Sequence, residues 1–151
     1  MKHNENKVLV LVLLTVFATS MGYLETSVAY YERSILGMPP SYNLNVLPLF
    51  PPKLLIVEQL REIATIIMLF TVGLLVGKSI REKIAVFLFC FGIWDIAYYI
   101  FYYAIIQWPT SLFTIDLLFL VPAPWTAPII VPVVISAIMI IISTYVIIKK
   151  G

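Results

Sequence analysis

Carboxylates recur at helical spacing inside apolar sequence, where charge is expensive. Glu58, Arg61, Glu62 and Thr65 stand at i, i+3, i+4 and i+7, so a helix there carries them on one face. Asp95, Tyr98, Tyr99 and Tyr102 repeat that pattern. Tyrosine hydroxyls can donate to a carboxylate. Glu25 and Glu32 lie seven residues apart and share a face. Arg61, between two glutamates, is the one basic residue expected inside a span. The chemistry this set supports is cation binding. Oxygen-only ligands suit hard ions such as Mg²⁺, Ca²⁺ or Mn²⁺. Carboxylates within membrane spans also serve proton or Na⁺ coupling. The candidates for a polar or cation site are Glu25, Glu58, Glu62, Asp95 and Asp116. Arg61, Tyr98, Tyr99 and Tyr102 support them. If a metal is held, Glu58, Glu62 and Asp95 are its expected ligands. Trp94 adjoins Asp95 in sequence but is expected on another face of its helix.

Composition dictates what must position these groups. Of 151 residues, 62% are hydrophobic and 12% charged, with a mean hydropathy of +1.01. Soluble domains run at about 45–50% apolar and about 25% charged. A soluble enzyme, a disordered chain and a nucleic-acid binder all fit poorly. The expected fold is an all-α membrane protein, one helical-bundle domain over residues 1–151, with the lipid bilayer as its surroundings. The single cysteine, Cys90, excludes an intramolecular disulfide and is expected as a small buried hydrophobe. The single histidine, His3, lies in the polar N-terminal tail. Haem ligation by histidine, a His/Cys zinc site and a Ser-His-Asp triad are therefore not expected within this chain. No glycine-rich phosphate loop is present.

A helical span needs about 20 apolar residues. Four fit, at about 8–31, 54–76, 84–106 and 127–148. The first could pass for a signal peptide ending near Ala18-Thr19-Ser20, but its apolar run continues beyond, so an uncleaved span is expected. Five prolines between Gly37 and Lys53 exclude a regular helix there. Leu44, Val46, Leu47, Leu49 and Phe50 imply that this loop packs on the bundle or on the bilayer surface. Residues 112–121 are too few to span and are expected to form a re-entrant or interfacial segment closed by Pro122, Pro124 and Pro128. Pro132 is expected to kink the fourth span.

Seven Lys and Arg residues (Lys2, Lys7, Lys78, Arg81, Lys83, Lys149 and Lys150) fall on the side of the termini, and Arg33 and Lys53 on the other. The positive-inside rule then places both termini in the cytoplasm of a multi-pass protein of the cell membrane. Trp108 and Trp125 fall at the outer interface, where indole rings favour the headgroup level. Glu25, Glu32, Glu58, Glu62, Asp95 and Asp116 all fall in the outer half or at mid-depth. At 1.5 Å per residue, Glu62 and Asp95 differ in depth by about one helical turn. A shared polar cavity is expected.

Each residue also has a structural reading. Glu32 and Arg33 would mark the end of span one, and Glu58 would favour a helix start. Arg61 would glue helices through an ion pair, Asp116 would cap its segment, and the tyrosines would pack.

Two stretches carry a family likeness: Phe91-Gly92-Ile93-Trp94-Asp95-Ile96-Ala97-Tyr98-Tyr99, and Trp108-Pro109-Thr110-Ser111-Leu112 with Asp116 to Trp125. They resemble a family of small prokaryotic four-span membrane proteins with no established activity. Glu25 and Glu58-x-x-Arg61-Glu62 look similar to the same pattern. The resemblance implies a fold and no activity.

Three functions compete. The first is a cation site in the outer half of the bundle, used in transport, for which a homo-oligomer would supply the pathway. The second is a membrane-embedded enzyme acting on a lipid-like substrate, with a carboxyl as acid or base and Arg61 on an anionic headgroup. The third is a small accessory subunit of a larger membrane complex.

Overall fold

The computed structural model describes residues 2–37, 48 and 50–149, with side chains from residue 6 onward. The expected packing of the proline-rich loop through Leu44, Val46, Leu47 and Leu49 lies outside the described residues. Phe50, at the end of that loop, is buried. Four helices form: α1 (Lys2–Leu36), α2 (Pro52–Val76), α3 (Ile80–Ile106) and α4 (Ile130–Lys149). Each is long and apolar enough to cross a membrane. The protein is an all-α four-span bundle with apolar side chains such as Val12, Val16, Ile67, Phe70 and Ile141 facing outward. A lipid bilayer is the solvent such a surface fits.

The most enclosed helix is α3. Of its most apolar window, 44% is buried, against 22%, 22% and 17% for α1, α2 and α4. The other three pack on it, while α1 and α2 scarcely touch each other. Small residues permit the close crossings. A Cβ at Gly22 would stand 2.8 Å from the Cβ of Ala97, and one at Gly92 would stand 2.7 Å from the carbonyl oxygen of Ser136. Leu14, Ala18, Leu69, Phe89, Cys90 and Trp94 build one core cluster. Ala29, Tyr99, Tyr102, Trp108 and Ile129 build a second.

Several boundaries differ from the sequence expectation. The third helix begins at Ile80, about a turn before 84, because Ser79 and Glu82 form a reciprocal capping box. Helix α1 continues through Glu32 and Arg33 to Leu36. Residues 112–121, expected as a short re-entrant or interfacial segment, do not span, and the backbone they adopt is extended. They contain strand β1 (Ile115–Phe119), paired antiparallel with β2 (Trp125–Pro128), with Asp116 opposite Ala127 and a bulge between Leu117 and Phe119. The hairpin supplies partners for backbone groups that a ten-residue apolar run could satisfy neither by spanning nor in lipid. Ala127 and Pro128 therefore belong to a strand, and α4 starts at Ile130. Pro132 falls in the first turn of α4, where a missing N–H removes no helical bond, so the expected source of a kink is gone.

Candidate functional site

At the hairpin end of the bundle a cavity of about 90 Å³ opens between α1, α2, α3 and β1. Glu25, Glu58, Glu62, Asp95 and Asp116 all line it, together with Glu32, Arg61, Tyr98 and Tyr99. Helical periodicity delivers them. Gly22 lies one turn before Glu25, and Gly92 one turn before Asp95. Each glycine lets a neighbouring backbone approach, and the carboxylate on the same face is carried into that crossing.

The carboxylates have distinct partners. Glu25 Oε2 accepts from the indole Nε1 of Trp94 at 2.7 Å, and its Oε1 lies 3.2 Å from Arg61 Nη2. Arg61 Nε donates to Glu58 Oε1 at 2.7 Å. The guanidinium thus bridges α1 and α2, and its ion-pair partners are Glu25 and Glu58. Glu62 turns to the hairpin, accepting from the backbone N–H of Leu120 at 2.8 Å and of Val121 at 3.2 Å. Asp95 Oδ2 accepts from Ser136 Oγ of α4 at 2.8 Å. Asp116 Oδ2 accepts from the Tyr99 hydroxyl at 3.1 Å. Asp116 is only 3% exposed. Burial pushes its carboxyl up to about 7, against the pull of the Arg33 charge and the Tyr99 hydroxyl.

Tyr102 stands apart from the cavity. It is fully buried, stacks on Tyr98 at 5.5 Å between centroids, and its hydroxyl meets no hydrogen-bond partner among the described residues. The Arg33 guanidinium lies 4.3 Å over its ring and 5.5 Å from the ring of Trp108. Arg33, in the last turn of α1, and Trp108, just after α3, are both buried. A guanidinium held on aromatic faces keeps favourable electrostatics without water. Trp125 is about half exposed.

Trp94 turns to Glu25 on α1 while Asp95 turns to Ser136 on α4, on different faces as expected. The place of Trp94 on the cavity wall, Ser136 and the amides of Leu120 and Val121 are additions to the expected set. Trp94 and Tyr98 are four apart, a same-face signal. Ser136 and Ser143, seven apart in an apolar span and both buried, mark the inner face of α4. Nothing in the sequence marks the two amides, because they depend on the hairpin. Among the described residues, no three His, Cys, Asp or Glu side chains converge as a metal-binding group would, and Glu58, Glu62 and Asp95 are spread around the cavity wall. The chain matches no protein-family model, no curated protein and no solved structure.

Proposed function

We propose that this multi-pass membrane protein binds a cation in the cavity at the hairpin end, and that the ion is a proton or a weakly held monovalent cation such as Na⁺. The observation that carries the reading is charge balance: six carboxylates and one guanidinium line the same small cavity. Arg33 also acts on Asp116, but six carboxylates outnumber the two guanidinium groups, and negative charge in excess of them, in a low-dielectric setting, is relieved by taking up a cation. A divalent metal needs oxygens converging at about 2.0–2.6 Å. The spread of Glu58, Glu62 and Asp95 favours the less demanding ions. Reversible binding of this kind is what a coupling site in transport requires. The Lys/Arg asymmetry supports a cavity that faces outside, with both termini in the cytoplasm, in the cell membrane. Impermeant labelling of single cysteines in a Cys90→Ala background checks the orientation; reaction of the 78–83 turn from outside would reverse it.

The test is ion titration of the purified protein in detergent, following the fluorescence of Trp94 on the cavity wall. A saturable response to Na⁺ or to pH is expected, and Asp95→Asn should weaken it about tenfold with helix content unchanged. No saturable response to either ion would sink the reading.

One observation favours a second reading, an enzyme on a lipid-like substrate. An apolar groove of about 420 Å³, lined by Ile96, Ile100, Tyr103 and Val133, shares Tyr99 with the polar cavity. A substrate could then lay its chain in the groove and its polar end in the cavity. Phospholipid left unchanged after incubation with the protein in vesicles would dismiss it.

A further inference from the structure

At the opposite end of the bundle, where α1 begins and α4 ends, all four helices close around another cavity, of about 190 Å³. Its polar lining is Asn6, Lys7, Lys78 and Glu82, set beside apolar side chains such as Val10 and Val86. Lys7 Nζ donates to the carbonyl of Ile148 at 3.0 Å, which ties the start of α1 to the end of α4. The Glu82 carboxylate is committed to the α3 cap, accepting from the backbone N–H of Lys78 at 2.9 Å and of Ser79 at 3.4 Å. The Lys78 side chain is exposed, and no ion pair holds it among the described residues. Arg81, Lys83 and Lys149 add positive charge at the same level, and Glu82 is the one acidic side chain described there.

Depth selects the ligand. The cavity sits where the apolar spans end, at Val76, Ile80 and Ile148. In a bilayer that is the boundary between hydrocarbon and headgroups. Leu75 and Ile80, at the cavity end of α2 and α3, are 79% and 70% exposed. They stand three and two residues from Lys78 in sequence and leave apolar surface exposed on either side of the turn that carries it. We infer that this cavity is a binding site for an anionic phospholipid, with the headgroup phosphate between Lys7 and Lys78 and the acyl chains over Leu75 and Ile80. Basic pockets between membrane helices take anionic headgroups in this way. A point charge on a flexible stem suits phosphate without demanding one geometry. The inference does not depend on the ion cavity, which lies at the other end of α2 and α3.

The experiment is native mass spectrometry and thermal melting of the full chain in detergent. It compares added phosphatidylglycerol, phosphatidylcholine with the same chains, and inorganic phosphate. Retained phosphatidylglycerol and a raised Tm are expected, with little effect from the other two. Lys7→Gln and Lys78→Gln should each weaken retention about fivefold, and the pair about 25-fold. Lys78→Arg should keep it, which separates loss of charge from loss of fold. Equal retention of phosphatidylcholine would overturn the inference. So would a Tm rise with inorganic phosphate matching that with lipid, since the site would then be for the free anion.

Discussion

Arg61 on α2 reaches Glu25 on α1 at 3.2 Å, joining two helices whose backbones scarcely approach each other. The same guanidinium holds Glu58 on its own helix. One cation therefore neutralises part of the cavity and closes the bundle between α1 and α2. Breaking one member of such a group leaves partners uncompensated, a loss of about 3 kcal/mol. Arg61→Met should lower Tm sharply, and adding Glu25→Gln should restore part of the loss. Thermal melting of the single and double variants in detergent checks this. Additive losses would mean that no coupling exists between the two residues.

Glu62 is the tether of the hairpin. Its carboxylate holds the amides of Leu120 and Val121, and bonds to a charged acceptor contribute about 1.5–3 kcal/mol each. In Glu62→Ala those two amides should exchange hydrogen at least about tenfold faster, while amides in the middle of α3 keep their protection. Hydrogen exchange read at residue level decides it. Unchanged rates at Leu120 and Val121 would show that the strand pairing alone holds the turn.

Much of this site is legible in the sequence because helical period is a strong constraint. Glu58 with Arg61, and Asp95 with Tyr98 and Tyr99, lie on faces that a 3.6-residue repeat fixes before any packing is known. Span ends set the expected depth, and Glu25, Glu62 and Asp95 do line one cavity, each turned to a different partner. What failed depends on contacts between distant segments. The strand at Ile115–Phe119 exists because Trp125–Pro128 pairs with it, and no local pattern announces that partner. Arg33 reads as a span-end marker, and the rings of Tyr102 and Trp108 that it lies over come from α3 and the segment after it. Pro132 reads as a kink until the start of α4 is moved to Ile130.

Asp116 should make stability depend on pH. Its carboxyl is pushed from 3.8 to about 7, chiefly by burial. Between those values the folded chain keeps a proton that the unfolded chain has released. The contribution is full below 3.8 and is lost as pH rises through about 7, a change on the order of a few kcal/mol. Melting in detergent from about pH 4 to about pH 8 should show Tm falling. Asp116→Asn, which cannot ionise, should remove that component. A profile identical in the two proteins would place the titration elsewhere.

Gly92 offers a way to disturb the ion cavity without touching its lining. A Cβ there would stand 2.7 Å from the Ser136 carbonyl oxygen and 2.9 Å from Ile140 Cγ1. The first of these is backbone, so it cannot rotate away, and α4 must shift. Overpacking of this kind costs about 1–3 kcal/mol. The same shift draws Ser136 Oγ away from Asp95, now 2.8 Å apart, because Gly92 and Asp95 share a face of α3. Gly92→Ala should therefore lower Tm and also weaken ion binding in the direction of Asp95→Asn. Ser136→Ala removes the hydroxyl without the steric load, so it should weaken binding with a smaller loss of Tm. Ion titration and melting, run side by side on the three variants, separate position from packing. If Gly92→Ala melts early yet binds ions as the parent does, the crossing of α3 and α4 does not set the geometry of Asp95.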